Sequence, residues 1–213
     1  MPTLPLQHEG RFEPVIETLN IDTMLRIHGY KNPEKVRQDI RRIAEKMRDI
    51  GASLFDPVVF YRKVAITECK ETHIALVQPK MKLHNPQFGE TFRGCTDVVF
   101  FLLTLGEKLD EMSTELQQGE ELLEAVFLET AGWLGIEKAT RSFVKELRKS
   151  AETESCRITR RFAPGYGEWN LSEQKNIFEV FSGWDINIRL IQGDCMYPKM
   201  SRSGMYGLRP NVL

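Results

Sequence analysis

Cysteine and histidine are scarce, with four of each in 213 residues. Cys69, Cys95, Cys156 and Cys195 are widely separated and form no C-x-x-C pair. They read as reduced thiols of a cytoplasmic protein, not as a disulfide frame or a zinc site. His8, His28, His73 and His84 are equally dispersed, so a metal site has little support. An excess of charge of either sign is also missing. Lys and Arg number 29 against 30 Asp and Glu, for a net charge of -1, and nothing global favours nucleic acid as a partner. Long apolar runs are absent: the longest, Val98 to Leu103, is far too short to span a bilayer. The N-terminal stretch "MPTLPLQHEGRFEP" lacks the basic start and apolar core of a signal peptide. There is no G-x-G-x-x-G after a strand, no G-x-x-x-x-G-K-[ST] and no G-x-S-x-G, which removes the common dinucleotide, phosphate-loop and hydrolase readings. No Cys–His nucleophile pair stands out.

What is present suits one domain covering 1–213, with an N-terminal helical segment at about 33–50. At 41% hydrophobic and 28% charged, the chain can bury a core. "YKNPEKVRQDIRRIAEKMRDIGA" predicts a helix capped by Asn32, with Pro33 in its first turn and Gly51 at its end. Val36, Ile40, Ile43, Met47 and Ile50 form its apolar stripe. Its mixed charges suit a solvated face better than a nucleic-acid one. "VVFYRKVAITEC" and "THIALVQ" read as a hairpin turning at Lys70-Glu71. "TDVVFFLLTLG" reads as a strand covered on both faces. A short helix carrying Leu109, Met112 and Leu116 breaks at "QQG", and a longer one follows to about Ser150. Farther on, Ser172 is positioned to cap the helix "SEQKNIFEVF", Gly183 to end it, and "DINIRLIQ" alternates like a strand. The order of helix, strands, helices, loop, helix and strand argues an α+β fold.

Three features carry possible chemistry. On the long helix, Val126, Thr130, Trp133, Glu137, Thr140, Val144 and Leu147 recur at helical spacing. Glu137 within that stripe needs a partner, a bound cation or water access, unless it lies at the edge and reaches solvent. The loop "RRFAPGYGEWN" places Arg161 before a Pro164-Gly165 turn with Tyr166 and Trp169 beyond. Arginine suits a carboxylate, the turn exposes backbone groups, and the rings offer faces for an aromatic base. A surface loop whose aromatics cover the core is the competing reading. The tail "CMYPKMSRSGMYGLRP" is too rich in Met and Tyr to fray, so it packs on its own core or on a ligand. Gly204 and Gly207 either present Tyr206 on a tight turn or sit in a C-terminal strand.

"RRFAPGYGEWNLSEQKNIFEVF" followed by "INIRLIQGDCMYPKMSRSGMYGL" resembles the activation (reactivation) domain of cobalamin-dependent methionine synthase. That family carries an R-x-x-x-G-Y loop, a helix, a strand and an ending similar to M-x-P…S-x-S-G-x-Y/I-G. "NIDTMLRIHGYK", "TLGEKLDEM" and "ETAGWLGIEKAT" resemble its earlier segments, so the likeness runs from about Ile21 to Pro210. The resemblance implies a curved, mainly antiparallel sheet flanked by long helices, with S-adenosylmethionine bound in a shallow groove. It implies that Arg161 meets the ligand carboxylate and that backbone groups of Ala163, Gly165 and Tyr166 hold the adenine end. Glu137 would face the cationic methionine end, Asp22 would add a second carboxylate, and Tyr206 would close the site beside cobalamin.

The chain has no D-x-H-x-x-G corrinoid motif, no zinc cysteines for homocysteine and no folate module. The resemblance therefore implies a stand-alone reactivation subunit of a methyltransferase, inactive by itself. It would present a methyl group to cob(II)alamin or cob(I)alamin on a cobalamin-binding methionine synthase subunit. Reductive methylation there uses a flavodoxin-like electron donor, and cobalamin enters only through the partner. No catalytic dyad is expected, since the work is proximity and orientation. Activation of another corrinoid methyltransferase, and a non-catalytic interaction protein of the same fold, are the alternatives.

Overall fold

The apolar run at 98–103 lies at the centre of the molecule, and every side chain in it is fully buried. The computed structural model describes residues 8–211. Residues 1–7, which begin the stretch read for a signal peptide, and residues 212–213 lie outside the described part. In chain order the elements are β1 (Glu9–Phe12), α1 (Ile21–Ile27), α2 (Gln38–Leu54), β2 (Val58–Cys69), β3 (His73–Leu76), β4 (Lys82–His84), α3 (Phe88–Phe92), β5 (Asp97–Thr104) and α4 (Lys108–Gln118). They continue with α5 (Leu122–Thr153), β6 (Cys156–Ile158), α6 (Gln174–Val180), β7 (Arg189–Leu190), β8 (Met196–Tyr197) and β9 (Ser201–Pro210). The expected α+β class is what forms. The main sheet runs β4-β3-β2-β5-β9-β6, with β1 also paired to β2, and every pair in it is antiparallel.

Period-2 alternation explains the two layers on this sheet. Val98, Phe100 and Leu102 of β5 pack with Phe88, Phe92, Ile177 and Val180 on one face. Val99, Phe101 and Leu103 pack with Met47, Leu109 and Leu128 on the other. Each such side chain contributes about 1.5–3 kcal/mol by leaving water, so the double-faced strand anchors both layers. The hairpin expected around Lys70-Glu71 is β2 and β3. The tail is also a strand: β9 pairs with β5 along its length and with β6 at its end. It therefore packs on its own core.

Several local expectations are corrected. Pro33–Lys35 is a separate 3-10 turn, and Val36 is extended, so α2 begins only at Gln38. Gly51 lies inside α2 and does not end it; a Cβ there would sit 2.9 Å from Ala131 Cβ, so this glycine permits close contact with α5. The core face of α5 is Leu128, Ala131, Gly135, Ala139, Phe143, Leu147 and Ala151, all buried. The stripe expected through Val126 and Trp133 is rotated from it, and those two side chains are about half exposed. Ala and Gly carry little apolar weight in a sequence, yet they form the face that lets α2 approach. Asn170, not Ser172, caps the turn before α6, accepting from the Ser172 amide at 2.9 Å. Of "DINIRLIQ" only Arg189–Leu190 becomes a strand, pairing with β8.

Candidate functional site

Past α5 the chain turns through Ser155, whose φ is 54°, and enters β6 on the edge of β9. Phe162 extends that edge: its amide donates to Met205 O at 3.0 Å and its carbonyl accepts from Met205 N at 2.8 Å. Gly204 makes this seat possible, because a Cβ there would sit 2.7 Å from Phe162 O at a φ of +155°. Phe162 joins the α6 side of the core, and Arg161 before it points to the α5 side. The loop then turns at Gly165, φ +84°. The Gly165 amide donates to Trp169 O at 2.8 Å and the Tyr166 amide to Ala163 O at 3.3 Å. The backbone groups expected to face an adenine are thus partly spent inside the loop. Tyr166 is 64% exposed and Trp169 only 2%. Of the two rings, Tyr166 alone is open for stacking, while Trp169 packs edge-on against Phe88.

Glu137, Arg161 and Tyr206 come together on the α5 face beside this loop. The sequence reading missed the residue that pairs with Glu137, Arg202. Its Nη2 donates to Glu137 Oε1 at 2.7 Å and its Nη1 to Thr140 Oγ1 at 3.1 Å. The Thr140 hydroxyl in turn donates to Ile136 O at 2.7 Å. Strand alternation contains the clue: Arg202, Gly204, Tyr206 and Leu208 share one face of β9. Glu137 thus lies at the edge of the core, its side chain 32% exposed. The Arg202 hydrogen bond holds its carboxyl below the usual range against the opposing effect of burial, helped by the charges of Arg202, Arg141 and Arg161.

Arg161 lies with its guanidinium carbon 5.2 Å from the Tyr166 ring centroid. Its Nη1 is buried and has no hydrogen-bond partner among the described residues. Tyr206 is not presented on a turn. It is buried in mid-strand, stacked on Phe101 with centroids 5.7 Å apart. Burial pushes its phenol pKa up, against the pull of Arg161, Arg202 and Arg148. A shallow groove of about 420 Å³ runs along α5 and is lined by Thr140, Arg141, Val144, Lys145 and Arg148.

Asp22 is not brought to this cluster by any hydrogen bond or ion pair among the described residues. It accepts from Arg41 of α2 at 3.2 Å, and Arg41 also bonds Glu45 and Pro33 O. Among the described residues no group of three His, Cys, Asp or Glu is placed to hold a metal ion, and no helix is long and apolar enough to cross a membrane.

The backbone aligns with a crystal structure of the MetH reactivation domain bound to AdoHcy, with a TM-score of 0.60 over 96% of this chain and 79% of that one. The fold is that of a MetH reactivation domain. Sequence identity across the alignment is 12%, so the likeness establishes the reactivation-domain architecture alone. No family model and no curated protein matches the sequence.

Proposed function

We propose that this chain binds S-adenosylmethionine beside the Arg161–Tyr166 loop, on the side where Glu137 of α5 and Arg202 of β9 pair, and holds it for methyl transfer to a corrinoid carried outside these 213 residues. The observation that carries the reading is the buried, unpartnered Nη1 of Arg161, in a fold whose solved neighbour is bound to AdoHcy. An unsatisfied buried donor costs about 1–3 kcal/mol, and a ligand carboxylate relieves that cost by accepting from it. Glu137 Oε1 is taken by Arg202, but the carboxylate remains a third exposed and faces the ligand's ammonium end. The open Tyr166 ring receives the adenine, and Tyr206 supplies the floor.

Bound S-adenosylmethionine supplies an electrophilic methyl group on a sulfonium. The residues of this chain contribute binding and orientation: Arg161 and Glu137 fix the amino-acid end, so the sulfur has one place to lie. No acid–base dyad is required, because the acceptor is itself the nucleophile. In this reading the protein is a reactivation subunit working with a cobalamin-binding methionine synthase partner and a flavodoxin-like electron donor.

Calorimetric titration of the purified chain tests the core of the proposal. Saturable binding of S-adenosylmethionine that weakens in Glu137→Gln supports it. No heat and no change in tryptophan emission at millimolar ligand would sink it. Formation of methylated corrinoid only when the chain, a cobalamin-loaded partner, reductant and S-adenosylmethionine are all present tests the wider role.

A further inference from the structure

The ion pair between Glu137 and Arg202 has a consequence for what the site prefers. This inference rests on the ligand reading above and goes further by asking which charge state of the ligand the site favours. Three guanidiniums, those of Arg202, Arg141 and Arg161, act on the one carboxylate of Glu137. Arg202 is the most committed of them. Its side chain is only 15% exposed, it contacts Glu137 at 2.7 Å, and Thr140 braces its other nitrogen at 3.1 Å. A ligand carboxylate on Arg161 offsets one positive charge. The charge of Glu137 is already offset by Arg202, so little negative potential is left for a sulfonium.

We infer that Arg202 is a specificity-determining residue that disfavours a sulfonium ligand relative to the neutral thioether left after methyl transfer. S-adenosylmethionine and AdoHcy share the carboxylate, the ammonium and the adenosyl group. They differ by one methyl and one positive charge on sulfur. By pairing with Glu137 at 2.7 Å, Arg202 neutralises much of the carboxylate charge that would otherwise balance the sulfonium. A sulfonium left without a nearby counter-charge loses affinity on the order of tenfold, for an effective dielectric between the protein-surface and bulk-water values.

The test is paired calorimetric titration of both ligands against the wild-type chain and three variants. The wild type is expected to bind AdoHcy roughly tenfold more tightly than S-adenosylmethionine. Arg202→Met removes the charge, keeps an apolar stem and frees Glu137, so the ratio should fall towards parity. Arg202→Lys keeps the charge and should preserve most of the preference. Glu137→Gln leaves Arg202 unopposed and should widen the ratio, which keeps the idea testable should Arg202→Met fold poorly. If neither ligand binds the wild type, the ligand reading itself fails. If both bind and the wild type prefers S-adenosylmethionine, or if the ratio is the same in all four proteins, Arg202 does not set the preference.

Discussion

Arg161→Met separates a binding residue from a structural one. Methionine keeps the apolar stem, which passes 3.3 Å from where a Gly204 Cβ would stand, and it deletes the guanidinium. Among the described residues that guanidinium faces the Tyr166 ring, which at an exposed ring is worth about 0.5–1 kcal/mol, and its charge also attracts the carboxylate of Glu137. Against this stands the buried Nη1 without a partner, which costs about 1–3 kcal/mol. The two nearly cancel. Urea unfolding of Arg161→Met should therefore lie within about 1 kcal/mol of wild type, or slightly above it. Ligand binding should respond differently. Losing a charge-assisted contact to the ligand carboxylate removes about 1.5–3 kcal/mol, a roughly 10- to 150-fold rise in the dissociation constant. Calorimetry and urea melts on the same preparation read both numbers. A loss of more than about 2 kcal/mol of stability with unchanged affinity would refute the reasoning and make Arg161 a structural brace.

Three other outcomes follow from the geometry. Gly51→Val should lower stability by about 1–3 kcal/mol in a urea melt, because its Cβ meets Ala131 Cβ at 2.9 Å and neither helix backbone can yield cheaply. Gly204→Ala should cost at least about 2 kcal/mol and weaken ligand binding with it, since the new methyl meets Phe162 O at 2.7 Å and unseats the Arg161 loop. Glu137 has a folded-state pKa depressed below 4.5, chiefly by the Arg202 hydrogen bond. Its contribution is therefore present above about 4.5 and lost as pH falls through the lower folded value. The stability gap between wild type and Glu137→Gln should be constant near neutrality and close in acid. A gap that persists below the folded pKa would contradict the ion pair as its source.

Much of the local structure is legible in the residues themselves, because short-range physics decides it. The unbroken run at 98–103 requires cover on both faces, and it has cover on both. The polar turn at Lys70-Glu71 and the glycine after "QQ" mark real boundaries. Other readings failed where a neighbour distant in sequence decides the outcome. Gly51 looks like a helix terminator until Ala131 is seen against it. The apparent stripe through Trp133 outweighs the Ala and Gly positions that form the buried face of α5. "DINIRLIQ" alternates as a strand does, but only two of its residues find a partner strand.

The candidate site divides in the same way. By itself the sequence determined that Arg161, Gly165 and Tyr166 occupy one loop, that Glu137 lies on a long helix in an awkward setting, and that the Met- and Tyr-rich tail packs. These are consequences of residue type, period and turn chemistry, which act over a few residues. Only the tertiary structure decided that Glu137 is held by Arg202, 65 positions away. It also decided that Tyr206 is buried against Phe101, that Asp22 pairs with Arg41, and that one nitrogen of Arg161 is buried without a partner among the described residues. Charge pairing and burial depend on which elements the sheet brings side by side, and spacing along a chain does not encode that distance.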